Sequence, residues 1–159
     1  MNPPGPAVIR GPVVAGQGLG RGLGFPTANV SVPGSDLPPF GVYRADAIWD
    51  GVAHPAVCNV GVRPTLVSAG SPWVEVHVLD FDGDLYGRVL EVRLREKLRD
   101  EKRFASRDEL VEQIRRDVAL VSAACRRSAG AGPESSSARS AIGRRGTRTR
   151  RIGRKGAPS

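Results

Sequence analysis

The stretch WVEVHVLDF, Trp73 to Phe81, alternates strictly in polarity. Val74, Val76 and Val78 fall on one face, and Trp73, Glu75, His77 and Leu79 on the other. That period of two is the pattern of a strand with one face against a core. The pattern recurs on both sides of this stretch. Downstream, RVLEVRLREKL (88–98) sets Val89, Glu91, Arg93 and Arg95 against Leu90, Val92 and Leu94. Upstream, GVYRADAIWD (41–50) alternates, Asp50–Gly51 reads as a hairpin turn, and VAHPAVCNVG (52–61) follows. Pro55 inside that run argues for an edge position or a bulge, because proline has no N–H for a ladder. AVIRGPVVA (7–15) opens the series, and Asp82–Gly83–Asp84 reads as a further hairpin turn. The expectation is a meander of about six strands, antiparallel because the turns are short. So many short strands favour closure into a small barrel, which removes exposed edges.

One helix is legible after the strands. Ser106 and Glu109 form an S-x-x-E capping box. Leu110, Ile114, Val118, Val121 and Cys125 follow at helical spacing, with Val111 beside them. Glu112, Gln113, Arg115 and Arg116 are expected to face out, and the apolar stripe to pack on the barrel.

Composition limits what such a domain does. The 159 residues are 40% hydrophobic and 5% aromatic, which suits one globular domain. No apolar run approaches the roughly 20 residues that span a bilayer, and MNPPGPAVIRG does not read as a secretory signal. Cys58 and Cys125 lie in no CxxC pair and read as reduced, buried thiols of a cytoplasmic protein. The net charge of +8 is unevenly placed. Residues 126–159 hold ten Lys and Arg against the single acid Glu134, whereas residues 1–125 hold 14 basic and 15 acidic side chains. The globular part therefore has no basic face for nucleic acid, and only the tail offers one, without sequence selectivity. From about Ser128 the chain is rich in Ser, Gly and Arg with almost no large apolar residues, so it is expected to be disordered. The expected organisation is a folded domain over 6–127 and a basic tail over 128–159.

The chemistry concentrates in VVAGQGLGRGLGFPTANV, Val13 to Val30. Every second residue from Gly16 to Gly24 is glycine. Bare backbone lets amides approach a phosphate closely, and Arg21 would add a charge. The spacing fits neither G-x-x-x-x-G-K-[ST] nor G-x-G-x-x-G, so these glycines read either as a phosphate cradle of another kind or as a flexible loop joining two strands. Pro26 directs the chain into an extended course, where Thr27 and Asn29 point the same way. A hydroxyl and an amide oxygen at one point suit Mg²⁺ that arrives with a nucleotide; an Asx or ST turn is the other reading.

This stretch resembles the glycine loop and PTAN motif of riboflavin kinases (flavokinases). The resemblance continues through LPPFGVY (37–43), CNVGVRPT (58–65), EVHVLDFDGDLYG (75–87) and LRDEKRF (98–104), over about 120 residues in order. It is nearest to the kinase module of bacterial bifunctional FAD synthetases. It implies a mainly β fold, a six-stranded antiparallel Greek-key barrel with a C-terminal helix. It also implies transfer of the γ-phosphate of ATP to the ribityl 5′-hydroxyl of riboflavin, giving FMN. Residue by residue, it implies Thr27 and Asn29 as ligands of Mg²⁺ and the ATP phosphates. Gly16, Gly18, Gly20 and Arg21 would then form the loop over ATP, and Tyr86 would lie near the adenine. Glu75 is implied as the base, and Arg99, Lys102 and Phe104 as contacts of the flavin. Read from the residues alone, Glu75 is a solvent-facing strand carboxylate, His77 a structural histidine, and Arg99 and Lys102 a solvated charge run. Leu19 stands where bacterial relatives usually carry arginine. The only histidines are His54 and His77, so no H-x-G-H is present and no FMN adenylyltransferase activity is expected. The expected partners are small molecules, with no membrane and a monomeric chain. The competing expectation is an inactive flavin- or nucleotide-binding module tethered to nucleic acid or another partner by its tail.

Overall fold

In the computed structural model, which describes residues 6–32, 36–63 and 70–130, six strands close into a barrel. They are β1 (Val8–Val14), β2 (Ala28–Val30), β3 (Gly41–Trp49), β4 (Val52–Arg63), β5 (Ser71–Val78) and β6 (Val89–Arg99). A single helical turn, α1 (Leu19–Gly22), interrupts the glycine run, and the long helix α2 (Arg107–Gly130) closes the described chain. Neighbouring strands run in the order β1-β2-β5-β4-β3-β6, and β6 pairs back onto β1. Every pairing is antiparallel.

The closure agrees with the sequence reading, but the simple meander does not hold. β1 pairs with β2, and β3, β4 and β5 pair in chain order, but β2 also lies beside β5, and β6 leaves β5 and returns beside β3, the strand order of a Greek key. Residues 82–84 therefore belong to a crossover at the barrel end and not to a hairpin. Asp80 takes a left-handed φ of 53° at its start, and Asp84 accepts a hydrogen bond from the Tyr86 N–H at 2.8 Å. The Asp50–Gly51 turn is a true hairpin: both residues have positive φ, 49° and 77°, as a type I′ turn demands.

Pro55 is neither on an edge nor in a bulge. It pairs with Asp46 inside an unbroken β3–β4 ladder. Its carbonyl accepts from the Leu79 N–H at 2.9 Å, so its nitrogen also points to the β5 side. The β4–β5 ladder ends one residue away, at Ala56 and Val78, where proline has no N–H to return to Leu79.

The alternation divides two apolar layers. Val74, Val76 and Val78 point into the barrel with Ala56, Cys58 and Val60 of β4, Ala45 and Ala47 of β3, and Leu90, Val92 and Leu94 of β6. The alanines let opposite walls of a narrow barrel meet without voids. Outside, Val42, Val57 and Leu79 form a patch that receives Val121, with Val118 and Cys125 beside it. Val121 is fully buried there, at about 0.8 kcal/mol for each methyl group covered.

The start of α2 follows its sequence. The Glu109 N–H donates to Ser106 Oγ at 3.2 Å, and the Glu109 carboxylate accepts from the Ala105 N–H at 3.1 Å, one residue earlier than a strict capping box. The helix continues to Gly130, so the first residues assigned to the tail are helical. Residues 131–159, with eight of the ten Lys and Arg of residues 126–159, lie outside the described residues. Both cysteines are free; Cys58 is buried and Cys125 half-buried. Among the described residues no helix is long and apolar enough to cross a membrane.

Candidate active site

The outer face of three adjacent strands carries a short polar row. Glu75 of β5 is paired in register with Asn29 of β2 on one side and with Asn59 of β4 on the other. Directly opposed side chains in such ladders stand about 5 Å apart. Thr27, two residues before Asn29, shares that face, and its hydroxyl donates a hydrogen bond to Glu75 Oε1. The extended course after Pro26 thus brings the hydroxyl, the amide and the carboxylate together, as strand periodicity requires.

The glycine run wraps this row. A Cβ on Gly16 would lie 1.9 Å from Asn29 Nδ2, and one on Gly20 would lie 2.4 Å from the Phe25 carbonyl and 3.0 Å from Thr27 Oγ1. Gly18 precedes α1 with φ 68°, a left-handed conformation that glycine takes without strain. The loop is pinned at three points. The Phe25 N–H donates to the Gly20 carbonyl at 2.8 Å, His77 Nδ1 donates to the Pro26 carbonyl at 2.8 Å, and Arg107 Nη2 donates to the Gly22 carbonyl at 2.5 Å. His77 also meets the Phe25 ring edge-on, with centroids 5.5 Å apart. These contacts agree with the reading of His77 as a structural histidine, and its ring also lines the larger of the two cavities that meet at Thr27.

Two cavities meet at Thr27. The smaller, about 50 Å³, is walled by Arg21, Pro26, Thr27, Asp84, Leu85 and Tyr86. The larger, about 220 Å³, has Thr27, Glu75, Asn59 and Val57 on the barrel side and Gly18, Gly20 and Leu23 on the loop side. Its remaining wall is Arg99, Glu101, Lys102 and Phe104, together with Leu110 and Ile114 of α2. The forward half of the apolar stripe of α2 therefore lines a cavity, and only its rear half packs on the barrel. Lys102 Nζ stands 5.1 Å from the Phe104 ring centroid, and the Arg99 guanidinium 5.9 Å.

The structure brings Gly18, Gly20, Thr27, Glu75, Arg99, Lys102 and Phe104 to the larger cavity, and Arg21 and Tyr86 to the smaller. Gly16 and Asn29 sit at the margin, against each other. Arg99 is more than a solvated charge. Its Nη2 donates to Asp117 Oδ2 at 2.8 Å and its Nε to both carboxylate oxygens at 3.1 and 3.2 Å. Asp117 is only 2% exposed, and Gln113 Nε2 donates to it at 3.0 Å, so Gln113 does not face out as its sequence position suggests. Asp117 and Asn59 are the site residues that sequence reasoning missed. Each left a signal: Asp117 interrupts the stripe between Ile114 and Val121, and Asn59 is polar within an apolar run.

Burial pushes the Cys58 thiol, inside the barrel beneath this row, far above its ordinary value, with the nearby Glu75 charge adding to the shift. Among the described residues no three His, Cys, Asp or Glu side chains gather into a metal-binding group. A cation here would be held by Thr27, Asn29 and its own ligand's oxygens. Those hard oxygens suit Mg²⁺, and the bare Cα of Gly16 leaves the Asn29 amide its room.

A small closed barrel with two cavities meeting at a carboxylate-bound threonine is an architecture for bringing two small molecules together. The family is more particular. The riboflavin kinase (flavokinase) family model matches residues 4–125, and the chain belongs to that family. It is 48% identical over 118 residues to the bifunctional riboflavin kinase/FMN adenylyltransferase of Pseudomonas fluorescens, covering 74% of this chain and 38% of that protein. It is 49% identical over 113 residues to the Escherichia coli K12 protein of the same name, covering 70% of this chain and 36% of the other. The chain thus spans well under half the length of these curated relatives. Among solved structures, the riboflavin kinase of Trypanosoma brucei superposes with a TM-score of 0.56 at 25% identity, covering 77% of this chain and 81% of the other.

Proposed function

We propose that this chain is an ATP-dependent riboflavin kinase that makes FMN and ADP. The observation that supports it most is the placement of Glu75, on the floor of the larger cavity and hydrogen-bonded to Thr27, which also walls the smaller one. In this reading the flavin occupies the larger cavity, between the barrel wall and the 99–104 segment, and ATP the side of Arg21 and Tyr86. Glu75 accepts the proton of the ribityl 5′-hydroxyl as that oxygen forms its bond to the γ-phosphorus, and the bond from that phosphorus to the β–γ bridging oxygen breaks to release ADP. A hydroxyl of very high pKa needs such a positioned acceptor. The loop amides of Gly16, Gly18 and Gly20 and the Arg21 guanidinium face the phosphates and hold their charge. Thr27 and Asn29 would hold Mg²⁺, which when bound neutralises charge on the phosphate oxygens.

Adenylyl transfer is not assigned to these residues, which match the kinase module of the relatives. A cytoplasmic location and a monomeric state belong to the same reading. The binding-only alternative is weaker, because Thr27, Asn29 and Glu75 are all present. The excess positive charge of residues 126–159 suits an acidic partner such as nucleic acid, and deleting 131–159 would remove that binding while leaving turnover intact.

The test is incubation of the purified chain with riboflavin and Mg²⁺-ATP, with products separated by chromatography. FMN that forms only with the metal present supports the reading. Riboflavin recovered unchanged overturns it.

A further inference from the structure

The polar groups around the larger cavity are mostly committed. The Thr27 hydroxyl is bonded to Glu75, His77 Nδ1 to the Pro26 carbonyl, and the Arg99 guanidinium to Asp117. Asn59 is different. Its carboxamide oxygen is buried and has no hydrogen-bond partner among the described residues. A buried acceptor left unmade is costly, and such a group in a cavity wall waits for a donor from the ligand.

Its register says which part of the ligand that is. Asn59 faces Glu75 directly across the β4–β5 ladder, about 5 Å away. Under the kinase reading, on which this inference rests, Glu75 meets the 5′-hydroxyl. The groups within that distance along the ribityl chain are the inner secondary hydroxyls nearest the 5′ end; the ring system lies several bonds beyond. Each of those hydroxyls has a proton to donate, and Asn59, being neutral, accepts it without competing with Glu75 for the proton of the reacting oxygen.

We propose that Asn59 is a specificity-determining residue: its buried carboxamide oxygen accepts a hydrogen bond from an inner ribityl hydroxyl and so selects flavins that carry a polyol at N10. A site that holds a substrate hydroxyl this way discriminates strongly against an analogue lacking it, because the acceptor is then left buried and unpaired.

The test compares riboflavin with a flavin bearing a 5-hydroxypentyl chain at N10, which keeps the terminal hydroxyl and lacks the inner ones. The expected kcat/KM of the parent chain is about 10- to 100-fold lower for the analogue. In Asn59→Ala and Asn59→Val, the second chosen because a β-branched residue suits a strand, riboflavin falls toward the analogue while the analogue barely changes, and the ratio closes to within about 3-fold. Asn59→Asp, which keeps the acceptor, retains the discrimination. A parent chain that does not discriminate, or a ratio unchanged in the folded variants, overturns the proposal. Flavin fluorescence quenching gives the same ratio from dissociation constants. If both flavins bind and neither is phosphorylated, the kinase reading fails, and the binding ratio still decides the role of Asn59.

Discussion

Arg99 Nη2 lies 2.8 Å from Oδ2 of Asp117, a carboxylate that is only 2% exposed and that β6 and α2 enclose between them. The pair ties the end of the last strand to the middle of the helix, and the segment between them, 100–104, is thereby hung over the larger cavity. Removing one partner of such a pair strands the other charge in a poorly hydrated place. Arg99→Ala should lower unfolding free energy by about 3 kcal/mol, read from denaturant midpoints at constant m-value, because it leaves the buried Asp117 carboxylate without its guanidinium. Asp117→Ala should cost less, because the Arg99 side chain it leaves behind is 21% exposed and can reach water once released. Equal costs for the two would mean that the pair does not anchor the segment.

Glu75→Gln separates binding from chemistry. The amide keeps an oxygen to accept the Thr27 hydroxyl proton but has almost no basicity toward a substrate hydroxyl. Flavin affinity should stay within about 3-fold while kcat falls by about 10²- to 10⁴-fold. A variant that turns over like the parent removes Glu75 from the role of base.

Two glycines six residues apart should respond differently to alanine. At Gly16 the added Cβ meets the Asn29 amide at 1.9 Å, so Asn29 must swing from its place beside Glu75. At Gly22 the nearest atom is 3.6 Å away, at the end of the Arg107 side chain, and the site lies in α1, where alanine is the better helix former. Gly16→Ala should raise the KM for ATP by about 10-fold or more with a smaller effect on thermal stability, and Gly22→Ala should leave both near parent values. Matching KM values for the two would show that Asn29 does not serve the nucleotide.

Cys58 carries a pH dependence. Its buried thiol ionises only far above the ordinary value of 9.0, so the folded state keeps a proton that the unfolded state gives up. The sign follows: below pH 9 the thiol has no effect, and above it stability falls with rising pH by up to about 1.4 kcal/mol per pH unit. Between pH 9 and 10.5 the parent should lose stability more steeply than Cys58→Ala, a difference that cancels the other titrating groups. Parallel curves would place the thiol in contact with water. In the native protein at pH 8, a thiol reagent should label Cys125 well before Cys58.

The sequence alone determined the strands and the helix start, because their signals are local. The alternation in 73–79 and 88–95 depends on one periodicity, the Asp50–Gly51 turn on two left-handed residues, and the start of α2 on Ser106 and Glu109. It also determined that Thr27 and Asn29 share a face, because residues two apart on an extended chain must. What it did not determine is which strands become neighbours. The return of β6 to β3 is decided by closing the barrel around a shared core, and no local pattern encodes it. The β2–β5 and β4–β5 pairings set Asn29, Glu75 and Asn59 in one row, and the packing of α2 on the closed barrel buries Asp117 against Arg99 and makes Leu110 and Ile114 a cavity wall. A carboxylate, an amide and an arginine look alike in sequence whether solvated or enclosed. Only the tertiary structure withdraws water from one and leaves it on another, and that difference separates a charged surface from a site.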